Sequence, residues 1–183
     1  SATVAKGRLP YSGYIYPDTQ GGTFEAMQKY DRAFKQNGLA AAFERRDTSI
    51  TETARRPVTY TQRFGFRGSR TVTRWETSSY VPHWYGHCNG WTAAAIRHAE
   101  PVHSVTKNGV TFAPSDIKAL LAELYIYNQH EVLAGENEEP IGAAAFHAII
   151  ANWLGRGEHP LGIEAEPGEE KWNYPAYAFA ASA

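Results

Sequence analysis

Cys88 is the one cysteine in 183 residues, set in Trp84-Tyr85-Gly86-His87-Cys88-Asn89-Gly90-Trp91 directly before the alanine-rich run Thr92-Ala93-Ala94-Ala95-Ile96. The run predicts a helix that opens at the cysteine. A thiol attacks as its thiolate, and the free N–H groups and dipole of a helix N-terminus favour negative charge, so this placement predicts a depressed thiol pKa. A lone cysteine can instead be an inert core residue. Inert ones sit among aliphatic side chains, whereas His87, Asn89 and Gly90 flank this one, and the sequence reads as a nucleophile.

A cysteine nucleophile needs a base, and imidazole has the pKa for that work near neutrality. Of the seven histidines, His83 and His87 adjoin Cys88 in sequence; side chains so placed at a helix start point away from the nucleophile and read as loop hydrogen-bonding groups. His147 lies in Ala143-Ala144-Ala145-Phe146-His147-Ala148-Ile149-Ile150. There a polar ring among small and apolar residues requires a partner, and the small neighbours leave room for another segment to approach. His147 is therefore the predicted base.

The third member accepts the other imidazole N–H and fixes its tautomer. Glu164 and Glu166 share one face of a strand from Gly162 to Glu166, with Ile163 and Ala165 on the other. Glu164 is the choice, with Glu166 and Asn173 left open, because a solvent-exposed strand gives the same alternation. A backbone N–H at Cys88 or Asn89 can serve a developing oxyanion, and Trp84, Trp91 and Trp75 are candidate walls of a substrate channel, with core packing as their other use. The His83-x-x-x-His87 spacing beside a thiolate raises a zinc site. Gly86 interrupts a helix through both imidazoles and Cys88 adjoins His87 too closely to reach the same ion, so no metal and no cofactor is expected.

Elements that could hold these groups follow from periodicity. Leu9 to Pro17 is aromatic and proline-bounded and reads as extended, leading to the Gly21-Gly22 turn. Thr23 is a cap for a helix from Phe24 to Gln36, and a short helix from Leu39 to Arg46 follows. Asp47 to Pro57 reads as irregular, Val58 to Phe66 as a strand, and Thr71 to Trp84 as strand and loop. Asn108-Gly109 signals a type I′ hairpin between Val102–Lys107 and Val110–Phe112. Ser115 is predicted to cap a helix running to about Gln129; Gly135 to Pro140 reads as an acidic surface loop, Gly142 to Leu154 as a buried helix. Two strands, Leu161 to Glu166 and Lys171 to Phe179, close the chain across Pro167-Gly168. With no internal repeat or linker, residues 1–183 read as one α+β domain.

Composition narrows the work further. The 18 basic and 19 acidic side chains leave a net charge of −1, so no basic field exists for a nucleic-acid backbone, and nucleic acid is not an expected partner. No apolar run reaches membrane-spanning length and no signal peptide is visible, so no membrane association is expected. A single cysteine forms no internal disulfide, and the redox compartment cannot be read from it.

Three segments carry a family resemblance: GHCNGWTAAAI around Cys88 with Glu100-Pro101 after it, FHAIIANWLG around His147, and GIEAEPGEEKWNYPAYAF. In this order, and with LPYSGYIYP, Gly21-Gly22-Thr23 and Gln28-Lys29-Tyr30-Asp31 at the opening, the chain resembles the transglutaminase elicitor family over nearly its whole length. The resemblance implies a papain-like cysteine-protease fold, its central helix bearing the cysteine and packed on an antiparallel sheet. It also implies acyl transfer from a glutamine carboxamide to a lysine or other primary amine of protein or peptide partners, without calcium, in a secreted setting. By position it makes Cys88 the nucleophile and His147 the base, with Glu164 where the family has aspartate. Trp172-Asn173-Tyr174-Pro175 resembles the family's plant-recognised peptide, with Tyr174 and Ala176 departing from its glutamine and valine, and the family's second cysteine is absent near Gly135-Glu136-Asn137. Two other uses of such a scaffold stand beside this: a thiol amidase or peptidase, and a non-catalytic module that binds peptide or glycan.

Overall fold

The computed structural model describes residues 1–49, 52–63, 65, 68–135, 141–166 and 168–182. In chain order these form β1 (Ala2–Thr3), α1 (Phe24–Phe34), α2 (Leu39–Thr48), β2 (Glu52–Arg63), β3 (Ser69–Tyr80) and α3 (Cys88–Arg97). Then come β4 (Val105–Lys107), β5 (Val110–Phe112), α4 (Pro114–Ile126), α5 (Ala143–Ile150), β6 (Leu161–Glu164), β7 (Asn173–Ala176) and β8 (Ala178–Phe179). Strands pair as antiparallel two-stranded ladders, β1 with β8, β2 with β3, β4 with β5 and β6 with β7. The α+β expectation is met by helices and small ladders, and among the described residues no broader sheet forms.

The cysteine helix is central. Its small residues Ala94 and Ala95 bury against Ala122 of α4, with Tyr11 and Trp91 completing that core. Small side chains on both helices bring their axes close, and Gly90 carries this to its limit: a Cβ there would stand 2.1 Å from the backbone oxygen of Ala122. On the other side of α3, the hydroxyl of Thr92 donates to the carbonyl of Asn173 at 3.0 Å, which seats the β6–β7 ladder on the helix. A second core joins Val4, Ile150 and Leu154 to Leu161, Ala176 and Phe179.

Several local expectations give way to tertiary demands. Thr23 stands at the N-cap of α1, yet its hydroxyl makes no cap bond and donates to Glu123 at 3.2 Å, because a buried carboxylate is the stronger acceptor. The N-terminus of α4 is set by Ala113, Pro114 and Asp116 rather than Ser115: proline takes the first helical position, where no N–H is needed, and Asp116 accepts the Ala113 N–H at 2.7 Å. A remote carboxylate serves α2, since Asp31 accepts the N–H groups of Ala40 and Ala41 at 3.0 and 2.9 Å.

Of the stretch read as irregular, Asp47 and Thr48 close α2 and Glu52 to Pro57 belong to β2, which pairs with β3 from Glu52 opposite Tyr80 to Arg63 opposite Ser69. Its threonines favour extended backbone, and in a two-stranded ribbon Pro57 can turn its missing N–H outward. The type I′ turn is as predicted, with positive φ at Asn108 and Gly109 between β4 and β5. Helix α5 differs from the buried helix expected: residues 142–148 are exposed, while Ile150 and, in the π-helical continuation Ala151–Arg156, Leu154 are buried. Its alanines mimic a core sequence, but only the Ile150/Leu154 edge meets other elements. The final predicted strand splits at Tyr177, whose carbonyl accepts the Val4 N–H at 2.9 Å as the chain changes partner from β6 to β1. The acidic loop beyond Gly135 and Pro167 lie outside the described residues.

Candidate functional site

The loop leading into Cys88 is clamped before the helix begins. His87 N–H donates to the Ile15 carbonyl at 2.6 Å and Asp18 N–H to the Tyr85 carbonyl at 3.0 Å, so the extended segment through Tyr16 fixes the loop from outside. Gly86 makes this approach possible, since a Cβ there would meet the Ile15 oxygen at 2.6 Å. Cys88 follows as the first residue of α3, 6% exposed.

Its sulfur has two partners. The Cys88 thiol donates to the Lys171 carbonyl at 3.6 Å, and the Asn173 side-chain amide donates to the sulfur, also at 3.6 Å. Cys88 and Thr92 lie on one face of α3, and both meet the strand-entry segment 171–173. Glu164 stands opposite Asn173 in the β6–β7 ladder, with its Oε1 accepting the Trp172 N–H at 2.7 Å. The sulfur, the amide of Asn173 and the backbone that Glu164 braces are thus assembled by one docking of a hairpin on a helix.

His147 takes a different place. Its side chain is exposed on α5, its ring edge-on to Phe179 with centroids 6.4 Å apart, and among the described residues no hydrogen bond joins it to Cys88. Trp91 lies in the core with Gly13 packed on its ring and Tyr174 edge-on to it at 6.4 Å. Trp84 stacks edge-on to Tyr85, and Trp75 is exposed on β3. Asn89 lines a groove of about 650 Å³ along α3, together with Thr92, Arg97, Tyr125, His130 and Asn173. No tryptophan is among the lining residues. His130 and Arg97 of that groove went unremarked in the sequence, since nothing at the end of α3 or in the polar stretch after α4 shows that the two come to line one groove.

His87, read from sequence as a loop group, is the most enclosed imidazole. It is 1% exposed, with Nε2 at 2.7 Å from Glu123 Oε2 and 3.6 Å from Glu44 Oε1. Nδ1 faces the Tyr16 carbonyl at 3.4 Å and Asp18 Oδ1 at 3.7 Å. Burial alone would lower the His87 pKa, but hydrogen bonds to Glu123 and Glu44 outweigh it and hold the ring up to about 10. Glu44 is pushed up by burial and pulled further down by the His87 hydrogen bond, ending below the ordinary carboxylate range. Asp18, less tightly paired, is raised by burial.

The sequence model of the family described as transglutaminase elicitor matches residues 18–137, which include Cys88 and its loop. The chain belongs to the transglutaminase elicitor family. Among solved structures it is similar to the GP42 transglutaminase from Phytophthora sojae, with a TM-score of 0.69 and 24% identity over 94% of this chain and 53% of that one. At that identity the likeness speaks for the fold, and this chain spans about half the length of that protein. No curated protein matches the sequence. Among the described residues no helix is long and apolar enough to cross a membrane.

Proposed function

We propose that the chain is a papain-like, secreted cysteine transglutaminase domain that moves the acyl group of a glutamine carboxamide to a primary amine. The observation that supports it most is Cys88 as the first residue of α3, its sulfur 3.6 Å from the side-chain amide of Asn173, a residue that lines a groove large enough for a peptide side chain. Sγ attacks the carboxamide carbon, forming the S–C bond; the C–N bond breaks and His147 delivers the proton with which ammonia departs. An entering amine then attacks the thioester, the C–S bond breaks, and an isopeptide bond forms as Sγ regains its proton. Water in place of the amine gives glutamate, so the acceptor alone separates transferase from amidase. This thiol chemistry has no step that calls for calcium, and added Ca²⁺ should leave the rate unchanged.

For His147 to act, α5 must release its ring from Phe179 and bring it to the thiol, with Glu164 as the orienting acid. The test is incorporation of a labelled primary amine into a glutamine-containing protein, with ammonia release measured beside it. His147→Ala should lower both by about a hundredfold or more, the usual weight of a general acid–base. Glu164→Gln should lower both as well, by up to about 10⁴-fold, because the neutral amide can donate to the imidazole and favour the wrong tautomer, and it carries no charge to stabilise the imidazolium. Ammonia without incorporation would select the amidase.

A second reading has its own observation. A thiol that is 6% exposed and donates to a backbone carbonyl is also how an inert structural cysteine looks. In that case the groove would serve a non-catalytic module that binds peptide or glycan. Iodoacetamide decides between them: labelling of Cys88 no faster than an ordinary free thiol, with no ammonia release, favours the module.

A further inference from the structure

Glu44 of α2, His87 at the start of the cysteine loop's helix, and Glu123 of α4 bring three ligand atoms within 4.8 Å of one another, all buried. We infer that this cluster is a structural site for one divalent transition-metal ion, of the Zn²⁺ or Mn²⁺ kind, held by His87 Nε2, Glu44 and Glu123. An ion about 2.1 Å from each ligand spaces neighbouring ligand atoms roughly 3.0–3.4 Å apart. The observed separations from Nε2, 2.7 Å to Glu123 and 3.6 Å to Glu44, bracket that spacing. Entry of the ion requires that the Glu123 pair open slightly and that Glu44 close toward the ring.

Charge balance points the same way. His87 is faced by Glu44, Glu123 and Asp18, three carboxylates against one imidazole. A protonated His87 leaves its two glutamate partners with one uncompensated negative charge, whereas a divalent ion with a neutral imidazole neutralises them, and buried charge is costly unless so matched. Glu44 has no exposed surface, and its second oxygen, Oε2, has no hydrogen-bond partner. A fully buried carboxylate with one oxygen toward the imidazole and the other unpartnered keeps coordinating capacity that the protein's own donors do not use.

The surroundings match the outer shell of a metal centre. A ligating histidine directs its other ring N–H to a carbonyl or carboxylate, and His87 Nδ1 faces both Tyr16 and Asp18. The carboxylates are themselves held, Glu44 Oε1 by the Thr23 N–H at 2.6 Å and Glu123 Oε2 by the Thr23 hydroxyl at 3.2 Å. Gly22 closes over the cluster, where a Cβ would stand 2.2 Å from Glu44 Oε1. Mixed imidazole and carboxylate donors suit Zn²⁺ or Mn²⁺ over an all-oxygen Ca²⁺ site. Such an ion would tie α2 and α4 to the residue before Cys88.

The test uses the full chain. After dialysis against metal-free buffer, elemental analysis should find about one Zn²⁺ or Mn²⁺ per molecule. Chelation should lower the melting temperature, and ZnCl₂ or MnCl₂ should restore it by about 5–10 °C at a hundredfold excess over Kd. Glu44→Gln and Glu123→Gln should each abolish both the bound ion and the restoration. No bound ion together with no melting response would overturn the site. So would binding that survives both substitutions, or trace metal with no melting response, which is an adventitious ion only.

Discussion

Cys88→Ala should abolish amine incorporation and ammonia release together, by a factor of about 10⁴ or more, while the melting temperature moves little. Loss of a nucleophile leaves only binding and oxyanion stabilisation, so the residual rate approaches that of a site that merely holds substrate. Folding is little disturbed, because the sulfur's partners need no replacement: the Lys171 carbonyl already lies at a strand entry, and Asn173 keeps its backbone bond to Thr92 at 3.0 Å. Losing one small buried group costs on the order of 1 kcal/mol. A Cys88→Ala protein that melts normally but still releases ammonia would remove the thiol from the mechanism altogether. One that retains neither activity nor a cooperative transition would mark Cys88 as a core residue, and Cys88→Ser, which keeps a donor for Lys171, would then refold without activity.

The parts of this architecture written in local sequence are those decided within a few residues. A run of alanines after Cys88 specifies α3, Asn108-Gly109 specifies its turn through positive φ at both positions, and Pro114 fixes the first turn of α4. The reactive end of α3 is legible for the same reason. What the sequence conceals depends on partners distant along the chain. His87 reads as a loop group until Glu44 and Glu123, from two other helices, close on it. Asn173 could be named only as one orienter among three, because its approach to Cys88 depends on how the β6–β7 ladder docks. His147 shows the reverse error of scale: apolar neighbours in sequence suggested enclosure, but on an eight-residue helix with one packed edge they lie exposed around it.

Gly90→Ala should be the most damaging small substitution near the site, because both atoms it strikes are backbone. The added Cβ would stand 2.1 Å from the Ala122 carbonyl oxygen and 3.0 Å from the Ile126 nitrogen. No side-chain rotation relieves either contact, so α3 and α4 must separate along the seam where Ala94, Ala95 and Ala122 are buried. Alanine favours a helix over glycine by about 1 kcal/mol, whereas overpacking of a tight seam costs about 3 kcal/mol, so packing wins. The net loss of about 2 kcal/mol lowers the melting temperature by roughly 4–8 °C in a chain of this size. Gly7→Ala, where an added Cβ meets nothing within 4 Å, is the control and should leave the transition in place. Activity per folded molecule should fall as well: Gly90 lies two residues after Cys88, and a shift of α3 away from α4 moves the sulfur relative to Asn173. Equal melting temperatures for the two alanine variants would show that the helices do not meet at Gly90, and with that the packing that holds Cys88 beside Asn173 would be wrong.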